Sequence, residues 1–286
     1  TPIPSYQPEP SRRLKEQLQN LFAAGGFQET ISYSMVSYES LVPSESWADQ
    51  PRLQPLRIAN PLSLEHEWAR PTLRPSLLMT LRSNWRIQDG PIRLFEIGRV
   101  YEPQSNDLPN EREIAAGLLM GPRESVSWHG TGGAIGFFDG KGLIEGLLEH
   151  LGIIGSYEPY EEPFFQSGGA IRILSGDDLI GTMGEISTHI LDRFDIDAGP
   201  VVFFELDLSS LLIKLPLNVR GYQTLSHYPG APRDLAILIP LDVPAAQVQE
   251  VVERQPLVVE VKLFDVYTGP QVPEGVRSLA YRVVFQ

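Results

Sequence analysis

The side chains that most often carry chemistry are scarce or scattered in this 286-residue sequence. There is no cysteine. That removes a thiol nucleophile, a disulfide scaffold, an iron–sulfur cluster and any Cys-ligated zinc. The five histidines, His66, His129, His150, His189 and His227, never pair at metal-ligand spacing, so they read as surface or structural residues. No Gly-x-Ser-x-Gly elbow is present. The run GTGGAIGFFDGKG (residues 130–142) invites a phosphate-loop reading. It fails, because the position five before Gly140 is Ile135 and Lys141 is followed by Gly142 instead of Ser or Thr. The run reads better as the lead-in to a helix, with Asp139 favoured in the first turn by the helix dipole. The neighbouring carboxylates Glu161 and Glu162, and Asp177 and Asp178, sit in loop-like sequence and read as solvated. Pattern alone shows no enzyme, and of metal sites it leaves open only those built from carboxylates and solvent.

Those residues sit in a chain long enough for about two domains. Hydrophobic residues make up 42% and charged residues 21%, so real cores can be buried and intrinsic disorder is excluded. The formal net charge is -13, which argues against blanket binding to nucleic acid or anionic membrane. The acidity is local. Residues 111–219 hold 6 basic and 17 acidic groups, net -11, whereas residues 1–110 and 220–286 are each net -1. An anionic ligand therefore more plausibly meets one of the ends. The longest apolar stretch, VVFFELDLSSLLIKLPL, is interrupted by Glu205, Asp207 and Lys214 before it reaches the ~20 residues of a membrane span. No secretory signal is visible, and the first residue is Thr1, so a fragment of a longer protein is expected.

The elements follow from periodicity. Residues 1–10 carry four prolines and read as an arm. Ser11 is placed to cap a helix over 12–24, with Leu14, Leu18, Leu21 and Phe22 on one face and Gly25 and Gly26 as its stop. FQETISYSMV (27–36) reads as a strand and 43–55 as a loop. A helix starts near Pro75, with Leu77, Leu78, Leu81 and Trp85 on one side. LFEIGRVYE (94–102) and EIAAGLLM (113–120) read as strands. A helix over 138–151 presents Leu143, Ile144, Leu147, Leu148 and Leu151 and stops at Gly152. AIRIL (170–174) and DLIGTMGEI (178–186) form a hairpin around Gly176. A short helix at 187–194 precedes the strand at 201–208. Strands and helices without regular βαβ alternation give an α+β class with a mainly antiparallel sheet. Residues 218–232 read as a linker. Beyond it come a strand (233–239), a helix (243–254) capped by Asp242 with Pro244 in its first turn, and strands at 257–267 and 276–285. That β-α-β-β order is a ferredoxin-like domain lacking its second helix and fourth strand.

Seven segments in order make the family recognisable: residues 59–78 (ANPLSLEHEWARPTLRPSLL), 93–102, 137–153, 180–186, 203–212, 226–239 and 262–286 (KLFDVYTGPQVPEGVRSLAYRVVFQ). Together they resemble the beta subunit of bacterial phenylalanyl-tRNA synthetase, from about residue 11 to the last residue. The resemblance implies an arm (1–10), a class II synthetase catalytic-like but non-catalytic module (11–217), and a ferredoxin-fold anticodon-binding domain (218–286). It implies a cytoplasmic heterotetramer of two alpha and two beta subunits that charges tRNA(Phe). ATP and Mg would be bound through the alpha subunit, with no cofactor, metal or membrane for this chain.

Two departures support the non-catalytic reading. Class II motif 2 carries an arginine for the ATP α-phosphate where this chain has Glu102. Class II motif 3 is glycine-rich and ends in an arginine, where this chain has Glu205, Leu206, Asp207 and Leu208. The family's Phe-His-Pro-Gly-Arg segment is here Phe165, Gln166, Ser167, Gly168 and Gly169. The first helix resembles class II motif 1, which makes Leu14, Leu18, Leu21 and Phe22 subunit-interface candidates. The anticodon-binding domain makes Tyr228, Arg233, Lys262, Phe264, Tyr267, Arg277, Tyr281 and Arg282 the RNA-binding candidates. Period two puts Phe264 and Tyr267 on opposite faces of their strand, so only one of them can serve an RNA face. The alternative reading is a free-standing, non-catalytic interaction or scaffold protein derived from this subunit.

Overall fold

Alternation within continuous apolar runs builds the first unit. The computed structural model describes residues 9–41, 54–88, 90–105, 107–124, 128, 132–216 and 228–286. The chain divides into two units, Thr1–Leu217 and Asn218–Gln286. In chain order the first holds α1 (Pro10–Ala24), β1 (Gln28–Glu29), β2 (Met35–Val36), α2 (Tyr38–Leu41), β3 (Leu56–Arg57), β4 (Trp68–Ala69), α3 (Arg74–Asn84), β5 (Ile92–Glu102) and β6 (Asn110–Met120). It continues with α4 (Phe137–Leu151), β7 (Ser156–Pro159), β8 (Phe165–Ser175), β9 (Asp178–Ile186), α5 (Thr188–Arg193), β10 (Val201–Asp207) and α6 (Leu208–Lys214). A seven-stranded sheet runs β1-β5-β6-β10-β9-β8-β7, antiparallel except for the parallel pair β1–β5.

Both faces of this sheet are buried. Phe204 and Leu119 point into one core with Leu14, Leu18 and Phe22 of α1 and Ile144, Leu147 and Leu148 of α4. Their neighbours Phe203 and Leu118 point into the other core, with Leu77, Leu78 and Leu81 of α3 and Ile190 and Leu191 of α5. Period two thus divides one apolar run between two cores. Phe22 is fully buried and stacks on Phe204, with ring centroids 5.4 Å apart, and against Phe95 at 4.9 Å. Leu14, Leu18 and Phe22 are therefore committed to the chain's own core and have no surface to offer a partner subunit. Leu21 packs on its flank, half-buried.

Several elements differ from the sequence expectation. Residues 27–36 form two short strands in different sheets. β1 pairs with β5, and then Ser32 leaves the sheet to bond Glu96, while β2 joins a small β2-β4-β3 sheet. The first helix begins at Pro10 and not at residue 12, so Glu9 and not Ser11 stands at its N-cap, with proline at a position whose N–H has no helical acceptor. α6 was not expected. Its start is capped by Asp207, which accepts from the Ser210 N–H at 2.7 Å. Helix α4 matches its pattern: Asp139 accepts the Gly136 N–H at 2.9 Å, and Gly152 closes the helix at φ +73°. Most of the expected loop at 43–55, and residues 218–227 of the expected linker, lie outside the described residues.

The second unit holds β11 (Ala231–Pro240), α7 (Ala245–Glu253), β12 (Val258–Tyr267) and β13 (Val276–Phe285). Its sheet runs β11-β13-β12, all antiparallel, and α7 covers one face around Leu279, Tyr281 and Val283. Pro244 is the residue before α7 and not part of its first turn, and no side chain caps that helix. Residue order β-α-β-β with strand order 1-3-2 is the ferredoxin-like arrangement.

Phe22→Ala removes a ring shared by α1, β5 and β10 and is expected to cost about 3–5 kcal/mol in urea unfolding. Leu21→Ala on the half-exposed flank should cost clearly less. Equal losses would mean that α1 is not held by this face.

Candidate functional site

On the α3 face of the large sheet stand charged residues that period two sends to one side. They are Glu102 of β5, Arg112 of β6, and Glu205 and Asp207 of β10. With Thr72, Val100, Ile114 and Thr182 they line a cleft of about 120 Å³. Small-molecule sites usually enclose roughly 300–1,000 Å³, more than this cleft offers.

Electrostatics close the cleft further. Arg74, in the first turn of α3, is buried to 3% exposure of its side chain. Its guanidinium donates to both oxygens of Glu162 at 2.5 and 3.0 Å and to Glu205 at 2.7 Å. It also lies 4.3 Å from the centroid of the Phe164 ring, a cation–π contact. Burial works against its charge, but the facing Glu205 and Glu162 carboxylates outweigh it and raise its pKa above the ordinary arginine value. Arg112 donates to Asp207 through Nε at 2.9 Å and Nη2 at 2.6 Å, and its Nη1 pairs with Glu102. Burial again opposes, and the Asp207 and Glu102 contacts raise its pKa. Four carboxylates thus face two guanidiniums, an excess of two negative charges that disfavours phosphate, although the buried Arg74 Nε has no hydrogen-bond partner.

Beside the cleft a third pair lies flat on β5. Arg70 Nη1 is 2.8 Å from Glu96 and donates to Ser32 Oγ at 2.6 Å, and Arg70 Nε donates to the Arg99 carbonyl at 2.9 Å. Gly98 makes room for it: a Cβ there would sit 2.3 Å from Arg70 Nη2. Sequence reasoning found Glu102 and Glu205 but missed Arg74, Arg112 and Arg70. Their partners lie up to 131 residues away, and no local pattern signals that pairing.

The second candidate surface is the open face of the β11-β13-β12 sheet. The register between β12 and β13 shifts between Leu263 and Asp265, a β-bulge at Phe264. The extra residue changes the parity of everything after it. Lys262 lies opposite Arg282 and Tyr267 opposite Ser278, so Lys262, Phe264 and Tyr267 share the open face. This corrects the expectation that one of Phe264 and Tyr267 is core: they are 52% and 40% exposed. Arg282 lies over the Phe264 ring at 5.5 Å and bonds Asp234 at 2.8 and 2.9 Å.

The remaining candidates are not brought to this face. Tyr281 is fully buried and donates its hydroxyl to the Ala245 carbonyl at 2.8 Å, which makes it a core residue. Arg277 is half-buried and donates to the Val243 carbonyl at 2.7 Å. Arg233 lies opposite Val283, on the helix side of the edge strand. Tyr228 is exposed, and its carbonyl accepts from Gln286 at 2.6 Å.

Comparison with known proteins agrees with both units. A family model described as the phenylalanyl tRNA synthetase beta chain CLM domain matches residues 1–208, and one described as a ferredoxin-fold anticodon binding domain matches residues 226–286. The phenylalanine–tRNA ligase beta subunit of Dehalococcoides mccartyi is 36% identical over 99% of this chain and 34% of that protein. The corresponding subunit of Syntrophotalea carbinolica is 34% identical over 97% of this chain and 35% of that protein. The chain spans about a third of the length of the curated relatives it matches. Among solved structures, a pyrrolysyl tRNA synthetase of Desulfitobacterium hafniense covers 71% of this chain at 20% identity and a TM-score of 0.53, with 65% of that chain covered. That likeness is one of fold.

Arg74→Met removes the guanidinium that both Glu162 and Glu205 face and is expected to cost about 3–5 kcal/mol in urea unfolding. Replacing the whole cluster, Arg74→Met with Glu162→Leu and Glu205→Leu, should recover more than half of that loss. A single-variant cost as small as that of a surface ion pair would show that the cluster does not hold α3 in place.

Proposed function

This chain belongs to the phenylalanyl-tRNA synthetase beta-chain family, and on that premise we propose that it is the part of the beta subunit that supports charging of tRNA(Phe) without performing the chemistry. The observation that carries this reading is the cleft in which two arginines are already engaged by four carboxylates. The small cleft and its excess of carboxylates support this reading, since both disfavour a triphosphate there. ATP and magnesium therefore belong, in this reading, to a catalytic alpha subunit in a cytoplasmic complex of two alpha and two beta subunits. Among the described residues no helix is long and apolar enough to cross a membrane.

The tRNA contact in this reading is the open sheet face of the second unit. Phe264 and Tyr267 offer two rings on one side, Lys262 and Arg282 lie beside them, and single-stranded bases stack on such platforms. This narrows the eight candidates to four.

Two measurements test the proposal. The chain alone, given ATP and phenylalanine, should form no phenylalanyl-adenylate; formation of adenylate would overturn the non-catalytic reading. In the assembled enzyme, Phe264→Ala and Tyr267→Ala should each weaken tRNA(Phe) binding by about 1–3 kcal/mol, the usual worth of one stacked base. Tyr281→Phe, in the core, should leave binding unchanged. Equal losses from all three would refute the stacking platform.

A further inference from the structure

The open face of the β11-β13-β12 sheet carries one contact that stacking alone does not require. Arg282 of β13 stands directly opposite Asp234 of β11. Its Nε and Nη2 donate to the two Asp234 oxygens at 2.8 and 2.9 Å, and its guanidinium carbon lies over the Phe264 ring, 5.5 Å from the centroid. One carboxylate thus fixes the guanidinium over the ring that would receive a base. The Arg282 hydrogen bond in turn holds the Asp234 carboxyl below the usual carboxylate range, so the pair stays charged at neutral pH.

This pairing changes what the arginine can recognise. A free guanidinium on an RNA-facing surface pairs with backbone phosphate, which every strand carries whether its bases are paired or not. Held by Asp234, this one has two of its five N–H donors engaged and its charge balanced. What it offers instead is a plane beside Phe264, and only an unpaired base has a face to lay against it. Glu260 lies on the same face and holds no cation among the described residues.

We propose that Asp234 is a positioning residue for RNA selection: by latching Arg282 over Phe264 it withholds the guanidinium from phosphate, so that the face rewards unpaired bases and gives a duplex nothing. The inference rests on the reading of this face as the tRNA contact. The side chains of Arg282 and Asp234 are 56% and 51% exposed, and exposed ion pairs are weak. The latch therefore shifts selectivity a few-fold and not by decades.

The test is RNA binding by the assembled enzyme containing the full-length protein, with tRNA(Phe) and a blunt RNA duplex as probes, over a range of salt. Asp234→Asn should tighten duplex binding about threefold at low salt and steepen its log–log salt slope by roughly one, the mark of one added phosphate contact. Binding of tRNA(Phe) should gain less, so selectivity falls. Glu260→Gln removes a negative charge from the same face without freeing an arginine and should leave the duplex slope as it is. Asp234→Asn combined with Arg282→Gln should restore the duplex affinity and slope of the unchanged protein. All three positions are exposed, so these variants keep the fold. Unchanged duplex binding by Asp234→Asn overturns the proposal. So do equal effects of Asp234→Asn and Glu260→Gln, which would assign the change to net charge and not to the latch. If Phe264→Ala leaves tRNA(Phe) binding unchanged, the stacking platform fails and the latch with it. If Phe264→Ala weakens tRNA(Phe) binding while Asp234→Asn changes nothing, only the latch fails.

Discussion

A guanidinium taken out of water needs facing negative charge, and Arg74 finds it in Glu162 and Glu205, which engage both of its terminal nitrogens and leave only the buried Nε without a partner. The cost of leaving such a charge unpaired is several kcal/mol, more than most single contacts contribute. Its two partners come from the segment before β8 and from β10, so one side chain joins α3 to distant parts of the sheet. In this placement of α3 the guanidinium meets both carboxylates and sits against Phe164. The same commitment removes the arginine from any ligand. Arg112 and Arg70 repeat the logic along the same sheet face. The pairing that holds the module together is thus also the one that occupies its arginines.

This pairing also explains the uneven charge along the sequence. Much of the acidity of residues 111–219 is answered by basic residues from the first third of the chain. Glu162 and Glu205 meet Arg74, Asp195 meets Arg82, Glu111 meets Arg99 and Glu113 meets Lys15. Pairing moves the excess negative charge between segments without reducing it: residues 1–219 keep the sum of -1 and -11, a net of -12.

Legibility in the sequence follows the range of the forces involved. Helix α4 was readable because its stripe, its capping Asp139 and its closing Gly152 are all within fifteen residues of one another. The β8–β9 hairpin was readable from Gly176, which takes φ +62° at the turn. The strand expected at 27–36 was misread because its second half answers to Glu96 and Arg70, more than thirty residues away in either case. Helix α6 carried a readable signal in Asp207 followed three residues later by Ser210. At the cleft, Glu102 and Glu205 were legible from the strand pattern. The arginines that neutralise them were not, since a pairing across 131 residues leaves no local mark.

The bulge at Phe264 is the same lesson at the scale of a single residue, and it alters what the second unit can do. Strict alternation would send one aromatic into the core and leave a platform of one ring. One inserted residue brings Phe264 and Tyr267 to a common face. The charges on that face nearly cancel. Arg282 is bound to Asp234, and Lys262 shares the face with Glu260 and Asp265. Long-range attraction to a polyanion is therefore weak there, and what the face offers a nucleic acid is ring area and the guanidinium plane over Phe264. Recognition built on those terms favours unpaired bases over a charged duplex backbone, because only unpaired bases expose a face to stack.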